Sequence, residues 1–260
     1  MRNPDSHKGE NGKVAVIGGS MHIHGAPIFS ALAAESSGVD LTHVAVPQPH
    51  DIVTKMSSLN FMVFPFHGNE LTKDDVGPIL QMLAVMDAAV IGPGLARHPE
   101  TLSAIEQIIS GAPCPLVIDA TALQPQTAAW VAGKQAVLTP HLGELERMQI
   151  SQDDIGGLAA RAHCVILLKG HVDQIAGPDG DVRIVEGGNA GLTVGGTGDA
   201  LAGLTAGLIA QKMEPVEAAM LASKVIKTAG ERLFEEKGFT YTTKEVIEQI
   251  PYLLHEMSAE

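Results

Sequence analysis

Basic side chains are scarce: 17 Lys and Arg stand against 30 Asp and Glu, a formal net charge of −13. A surface of that sign repels phosphate backbones, and no Lys/Arg run forms a compensating stripe, so nucleic acid is not an expected partner. Cysteine is nearly absent. Cys114 and Cys164 are too far apart to make a metal knuckle or a redox pair, and each borders an apolar run, so both read as buried, inert thiols. Long hydrophobic runs are missing as well. The most apolar stretch, Met82 to Ala96, is broken by Asp87 and Pro93 and falls short of the ~18 residues of a spanning helix, so a membrane partner is not expected. The opening residues carry charge but no apolar block of signal-peptide length, and the expected compartment is the cytoplasm. Among the eleven histidines, His22 and His24 alternate along one segment, but no carboxylate or cysteine stands beside them at ligand spacing. They read as loop or pocket histidines.

What remains is ample apolar material, 45% of 260 residues, arranged as short Val/Ile/Leu runs between longer amphipathic stretches. That alternation predicts an α/β fold whose mostly parallel sheet is covered on both faces. Strands are expected at Lys13 to Ile17, Leu41 to Val46, Phe61 to Phe64, Ala88 to Ile91, Leu116 to Ile118, Ala136 to Leu138 and Cys164 to Leu168. Nearly all run into Gly- or Pro-bearing turns, where an open α/β sheet places its ligands. Val172 to Ala176 and Val182 to Val185, around Gly177-Pro178-Asp179-Gly180, predict an antiparallel edge hairpin. Helices are expected over Gly198 to Lys212, Pro215 to Glu236 and Thr243 to Glu256. Residues 1–12 read as a polar, mobile tail and 13–260 as a single domain.

The densest chemical signal is Gly187-Gly188-Asn189-Ala190-Gly191 through Gly195-Gly196-Thr197-Gly198-Asp199, followed at once by an apolar helix. Glycines let backbone amides converge, and the helix start adds unpaired N–H groups and a positive dipole end, which together make an anion cradle. Asp199 at the helix start has a plain alternative role as a cap or first-turn acid.

Gly195-Gly196-Thr197-Gly198-Asp199 resembles the signature of the ribokinase-like superfamily. More narrowly, an ordered set of segments resembles the nucleotide-dependent NAD(P)HX dehydratase (NAD(P)H-hydrate dehydratase) family. The set is Val16-Ile17-Gly18-Gly19-Ser20 with Gly25-Ala26-Pro27, Val90 to Leu95, Leu138-Thr139-Pro140-His141 with Gly143-Glu144, Leu168-Lys169-Gly170, and Gly188 through Asp199. The resemblance implies a three-layer α/β/α sandwich with the antiparallel edge hairpin, and a coenzyme-repair lyase acting on hydrated NADH or NADPH. Phosphorylating the C6 hydroxyl of the damaged ring with ADP or ATP makes a leaving group that the ring nitrogen can expel.

Carried over position by position, Asp199 is the expected general base, with an ordinary pKa near ~4. The amides of Gly195, Gly196, Thr197 and Gly198 form the expected anion hole. Substrate contacts are expected at Ala26, Gly94, His141 and Asp199, and nucleotide contacts at Lys169, Gly170, His171, Val172, Asp173 and Gly198. Mg²⁺ is the expected phosphate-bound ion, with no ligand residues assigned. A Gly196→Val change is expected to cripple catalysis without unfolding the chain. The resemblance also implies a homo-oligomer, with a tetramer as the expected state, and a separate epimerase. Ile23, Ser36, Asp40 and Thr121 depart from the family pattern and point to the substrate side as the place where this chain differs. Two other readings use the same cradle: a ribokinase-like kinase of a sugar or vitamin-precursor alcohol, and a non-catalytic nucleotide sensor, which would keep its response when Asp199 becomes Asn.

Overall fold

Alternation along each strand divides the protein into two cores. In the computed structural model, which describes residues 5–258, Val14 and Val16 of β1 (Lys13–Ile17) enter one core while Ala15 and Ile17 enter the other. Side chains of a strand point alternately to opposite faces, so a strand covered on both sides must be apolar throughout. The remaining strands are β2 (Leu41–Pro47), β3 (Phe61–Phe66), β4 (Ala88–Ile91), β5 (Leu116–Ile118), β6 (Ala136–Leu138), β7 (Val165–Leu168), β8 (Asp173–Ala176) and β9 (Val182–Val185). They form one sheet in the order β3-β2-β1-β4-β5-β6-β7-β8-β9. All pairs are parallel up to β7, and the β7–β8 and β8–β9 pairs are antiparallel.

The helices are α1 (Gly25–Ser36), α2 (Asp51–Ser57), α3 (Val76–Leu83), α4 (Pro99–Gly111), α5 (Thr127–Trp130), α6 (Leu142–Arg147), α7 (Ile155–Ala162), α8 (Thr197–Ala210), α9 (Pro215–Lys237) and α10 (Thr243–Met257). Buried residues of α1, α8, α9 and α10 share one core with the sheet, and those of α3, α4, α6 and α7 share the other. The result is the expected three-layer α/β/α sandwich. Several boundaries differ from the sequence reading. β2 and β3 extend to Pro47 and Phe66, and β7 begins at Val165 rather than Cys164. β8 begins at Asp173 because Val172 is an exposed turn residue, whereas the Asp173 side chain is buried and held by hydrogen bonds. Both cysteines are buried, and burial pushes their thiols up to about 11 for Cys114 and about 12 for Cys164.

Of the opening segment 1–12, residues 1–4 lie outside the described residues, as do 259–260 at the other end. Asn11 is buried, and the backbone amides of Gly9 and Asn11 donate to the Asp40 carboxylate. Among the described residues, no helix is long and apolar enough to cross a membrane.

The closest helix contact has a functional consequence. α8 lies against α1 with Gly203 over the Ser30 carbonyl and Gly207 over Ser37, so close that a Cβ at either glycine would collide with those atoms. This approach lets Ser30 Oγ donate to the Asp199 carbonyl oxygen at 2.8 Å, fixing the first turn of α8. Gly203→Ala is therefore expected to destabilise the fold by about 3 kcal/mol through overpacking. At Gly77 of α3 a Cβ meets nothing within 4 Å, and Gly77→Ala should be neutral or stabilising by up to ~1 kcal/mol. Urea unfolding of the two variants checks both.

Candidate active site

Strand order reverses between β1 and β4, and the crevice beyond their carboxyl ends is where an open α/β sheet receives a ligand. Gly18-Gly19 follows β1, Gly92-Pro93-Gly94 follows β4, Asp119 follows β5, Thr139-Pro140-His141 follows β6 and Lys169-Gly170 follows β7. The start of α8 faces these turns: an added Cβ at Gly198 would lie 3.2 Å from Lys169 Nζ.

The glycine turn before α8 is built as a cradle. Gly196 caps the helix at φ +102°, a conformation that favours glycine, and the first helical hydrogen bond runs from Ala200 N to Gly196 O. The amides ahead of it belong to the unpaired first turn of a helix. Gly195 is exposed, and a Cβ there would meet nothing within 4 Å. At Gly196 a Cβ would strike the Phe29 ring. This corrects the expectation for Gly196→Val, which would disturb the α1 contact as well as the cradle and is no clean test of catalysis. Thr197 Oγ1 donates to Val194 O at 3.0 Å, and Thr243 Oγ1 of α10 donates to Gly195 O at 2.9 Å. The Thr197 hydroxyl and, at 3.4 Å, its amide both close on Val194 O and hold the turn.

Asp199 is the third residue of α8 and the acid of its first turn, as the plain alternative has it; among the described residues its carboxylate accepts no hydrogen bond, so it makes no capping contact, while its main-chain oxygen accepts from Ser30 Oγ. Lys169 Nζ lies 2.7 Å from Asp119 Oδ1 and 3.7 Å from Glu144 Oε2. Asp119 Oδ1 also accepts from Thr139 Oγ1 at 2.8 Å. Burial opposes the Lys169 charge, but Asp119 and Glu144 outweigh it and hold the ammonium above its ordinary value. Asp199 does not keep the ordinary value that the sequence reading expects. Burial, then repulsion from Asp119, with Lys169 opposing and Glu144 adding, raise it from 3.8 to about 7. At neutral pH it is poised between its two forms rather than fully ionised.

Nucleotide contacts were expected from Lys169 to Asp173, and the structure gathers these residues in one turn with differing tasks. Gly170, His171 and Val172 are exposed, whereas Asp173 is buried, accepting from Gly170 N at 2.9 Å and Ser223 Oγ at 2.6 Å. Its carboxylate shapes the turn from beneath. Lys227, 6% exposed, donates to the carbonyls of Gly170 (3.3 Å), His171 (2.9 Å) and Gly187 (3.3 Å), joining this turn to the glycine-rich loop. Asn189 accepts from Gly191 N at 2.9 Å and from Tyr241 OH at 2.6 Å, bracing the same loop. Sequence reasoning missed Lys227, Ser223 and Tyr241. The available signal was a lysine and a serine four residues apart among the apolar positions of α9.

On the substrate side, an added Cβ at Gly94 would lie 3.2 Å from Ala26 Cβ and 2.7 Å from Ile23 Cγ2, which brings the two expected contacts together beneath a half-exposed isoleucine. His141 is exposed and also caps α6: its Nδ1 accepts from Glu144 N at 3.3 Å, and its own amide donates to Glu144 Oε2 at 3.0 Å. His24 and His50 rings are 5.5 Å apart, and among the described residues no group of three or more His, Cys, Asp and Glu side chains could hold a metal ion. Two of the four departures prove remote. Ser36 ends α1, and Asp40 precedes β2 at the amino edge of the sheet, where it binds the Gly9 and Asn11 amides. Thr121 Oγ1 donates to Leu95 O at 2.7 Å, tying the turn after β5 to the Gly92–Leu95 loop.

A family model described as NAD(P)H-hydrate dehydratase matches residues 14–252. The chain is 37% identical over 265 residues to the ADP-dependent (S)-NAD(P)H-hydrate dehydratase of Cenarchaeum symbiosum, covering 97% of this chain and 92% of the relative. It is 35% identical over 276 residues to the bifunctional NAD(P)H-hydrate repair enzyme Nnr of Pyrobaculum aerophilum, covering all of this chain but 54% of that enzyme, so it spans about half the length of this relative. A solved ADP/ATP-dependent NAD(P)H-hydrate dehydratase from Bacillus subtilis, co-crystallized with ATP/Mg²⁺, superposes with a TM-score of 0.81 at 25% identity, covering 98% of this chain and 93% of that one.

The raised Asp199 carboxyl has a stability signature. In the unfolded chain it ionises near 4, while the folded chain keeps its proton to about 7. Below both values the two states hold the proton equally and the residue costs nothing; as pH rises through this window, the native state acquires a crowded buried charge. Asp199→Asn is therefore expected to exceed the parent in stability by about 2–4 kcal/mol above pH 7, a gain that fades toward pH 4. Urea unfolding across this range checks it, and a difference independent of pH would contradict the assignment.

Proposed function

The chain belongs to the NAD(P)H-hydrate dehydratase family, and from that premise we propose that it restores hydrated NADH or NADPH by nucleotide-dependent dehydration. The observation that carries the reading is Asp199, whose carboxylate accepts no hydrogen bond among the described residues, in the first turn of a helix whose Gly198 lies beside Lys169 at the end of β7. Asp199 accepts the proton of the C6 hydroxyl. The freed oxygen attacks the terminal phosphorus of the nucleotide, and the bond from that phosphorus to the nucleotide's bridging oxygen breaks. The ring nitrogen's lone pair then expels phosphate from C6, and loss of the C5 proton completes the dihydropyridine. A base with a pKa near the working pH combines an available ionised form with useful proton affinity, and the value of about 7 suits that task.

The amides of Gly195 to Gly198 face the transferring phosphoryl oxygens, where preset donors act without reorganisation. Lys169 stands beside Gly198 and supplies positive charge to the same group, while the exposed Gly170-His171-Val172 turn, held from below by Asp173 and Lys227, receives the nucleotide. Ala26, Gly94 and His141 line the acceptor side, where two small residues stand next to each other beside Ile23. The relative of matching length carries ADP in its name, which favours ADP as donor, with AMP as the nucleotide product. The Asp119 and Glu144 carboxylates are turned to Lys169, and the described residues form no metal cage. A divalent ion accompanying the nucleotide would rest on phosphate and water oxygens, as Mg²⁺ commonly does, and supply charge neutralisation there.

The test is incubation with hydrated NADH, Mg²⁺ and either ADP, ATP or no nucleotide, following dihydronicotinamide absorbance and free phosphate together. Both signals should rise only with a nucleotide; nucleotide consumption with neither signal would point to a kinase of another alcohol. Asp199→Asn should lower turnover by about 10²–10⁴-fold. Gly195→Ala, which fills the open cradle without touching a neighbour, should lower it by about 10²-fold with an unchanged unfolding midpoint.

A further inference from the structure

An ammonium and a carboxylate that share a site ordinarily close on each other, yet Lys169 and Asp199 do not. Lys169 Nζ is within ion-pair distance of Asp119 and Glu144, and among the described residues no ion pair joins it to Asp199. Asp119 is the short contact, at 2.7 Å from Oδ1. Its side chain is 3% exposed, and the same oxygen is fixed by Thr139 Oγ1. The carboxylate that holds the lysine is therefore itself held, at the end of the central strand β5, while Lys169 sits at the end of β7 with β6 between them.

We propose that Asp119 is a positioning residue for the reaction, which draws the Lys169 ammonium off the Asp199 carboxylate and keeps it beside the phosphoryl cradle. The inference rests on the reading of Asp199 as the base. Without the hold from Asp119, Lys169 would be free to pair with Asp199, which would lower the proton affinity of the base and occupy the oxygen that must accept the substrate proton. The same pairing would withdraw positive charge from the cradle. Asp119 thus acts on two partners of the reaction without touching the reacting atoms. The groups facing Asp199 are few. Asp119 and Lys169 approach from the strand ends and Glu144 from α6, whereas the nearby residues of α1 and α10 named above, Phe29, Ser30 and Thr243, do not titrate.

The experiment is a carboxyl-¹³C titration of aspartate-labelled protein, with the Asp199 resonance identified by its loss in Asp199→Asn. It is run on the parent chain, Asp119→Asn, Lys169→Met and the double variant. Asn preserves the shape of Asp119 and can still accept from Thr139. Asp119→Asn is expected to lower the Asp199 midpoint by about one pH unit or more, the effect of an opposite charge moving within reach. Lys169→Met is expected to raise it. In the Lys169→Met background the Asp119→Asn shift should shrink, because the part relayed through the lysine is gone. An unchanged midpoint in Asp119→Asn overturns the proposal, as does the same downward shift with and without the lysine, which would leave only direct repulsion. If Asp119→Asn does not fold, Asp119→Ser removes the same charge and is read in the same way. The titration needs no substrate, so a chain inactive on hydrated NADH can still bear the proposal out or overturn it. In an active chain, the acidic limb of the kcat profile should move with the midpoint.

Discussion

The placement of the Lys169 ammonium among Asp119, Glu144 and Asp199 is the constraint on which the site depends. Three carboxylates at one end of a sheet would repel one another and drive protons onto themselves. One ammonium closing on the wrong carboxylate would silence the base. The fold settles the contest by rigidity: Asp119 and Lys169 leave the ends of β5 and β7, which are locked in register with β6 between them. Asp199 arrives from the other side on α8, whose first turn is tied to α1 by Ser30 and whose path is fixed by the Gly203 contact. Charge placement here is a consequence of sheet register and helix approach, and each would lose its effect without the other.

The proposed nucleotide side follows the same logic with different parts. The turn after β7 must expose backbone to a ligand while keeping one shape, and it has little side-chain bulk of its own to do so. Its shape comes from beneath, where Asp173 and Lys227 are both buried and satisfy the turn's amide and carbonyls. A buried lysine is tolerable because its three protons meet carbonyl oxygens and its charge lies 3.5 Å from Asp173. Lys227 also reaches Gly187, so one ammonium joins the turn after β7 to the glycine-rich loop.

Much of this was legible in the sequence, for physical reasons. Strands covered on both faces must be continuously apolar, and so the strands from Val14 to Leu168 stand out, ending at turns whose glycines and prolines mark the ligand edge. The cradle was legible because its chemistry is local: five consecutive residues and a helix start. The proton affinity of Asp199 was not, since burial and Asp119 set it from elements distant along the chain. Nor was the collision of a Gly196 side chain with Phe29, or the underpinning by Lys227, which are facts of packing. Ser36 and Asp40 misled for a related reason. Ser36 ends the first helix and Asp40 follows it, and that helix carries the chain from the carboxyl edge of the sheet to the opposite edge, away from the proposed acceptor side.

In the proposed reaction a phosphoryl group is transferred to the substrate oxygen before that oxygen leaves C6, with Asp199 as base. The most direct measurement uses hydrated NADH carrying ¹⁸O in its C6 hydroxyl, with unlabelled ADP in ordinary water, and mass analysis of the released phosphate. Phosphorylation forms an oxygen–phosphorus bond and elimination then breaks carbon–oxygen, so each phosphate should carry one ¹⁸O. Unlabelled phosphate, with the isotope found in water, would mean that hydroxide departs directly and that nucleotide hydrolysis is a separate event, contradicting the account.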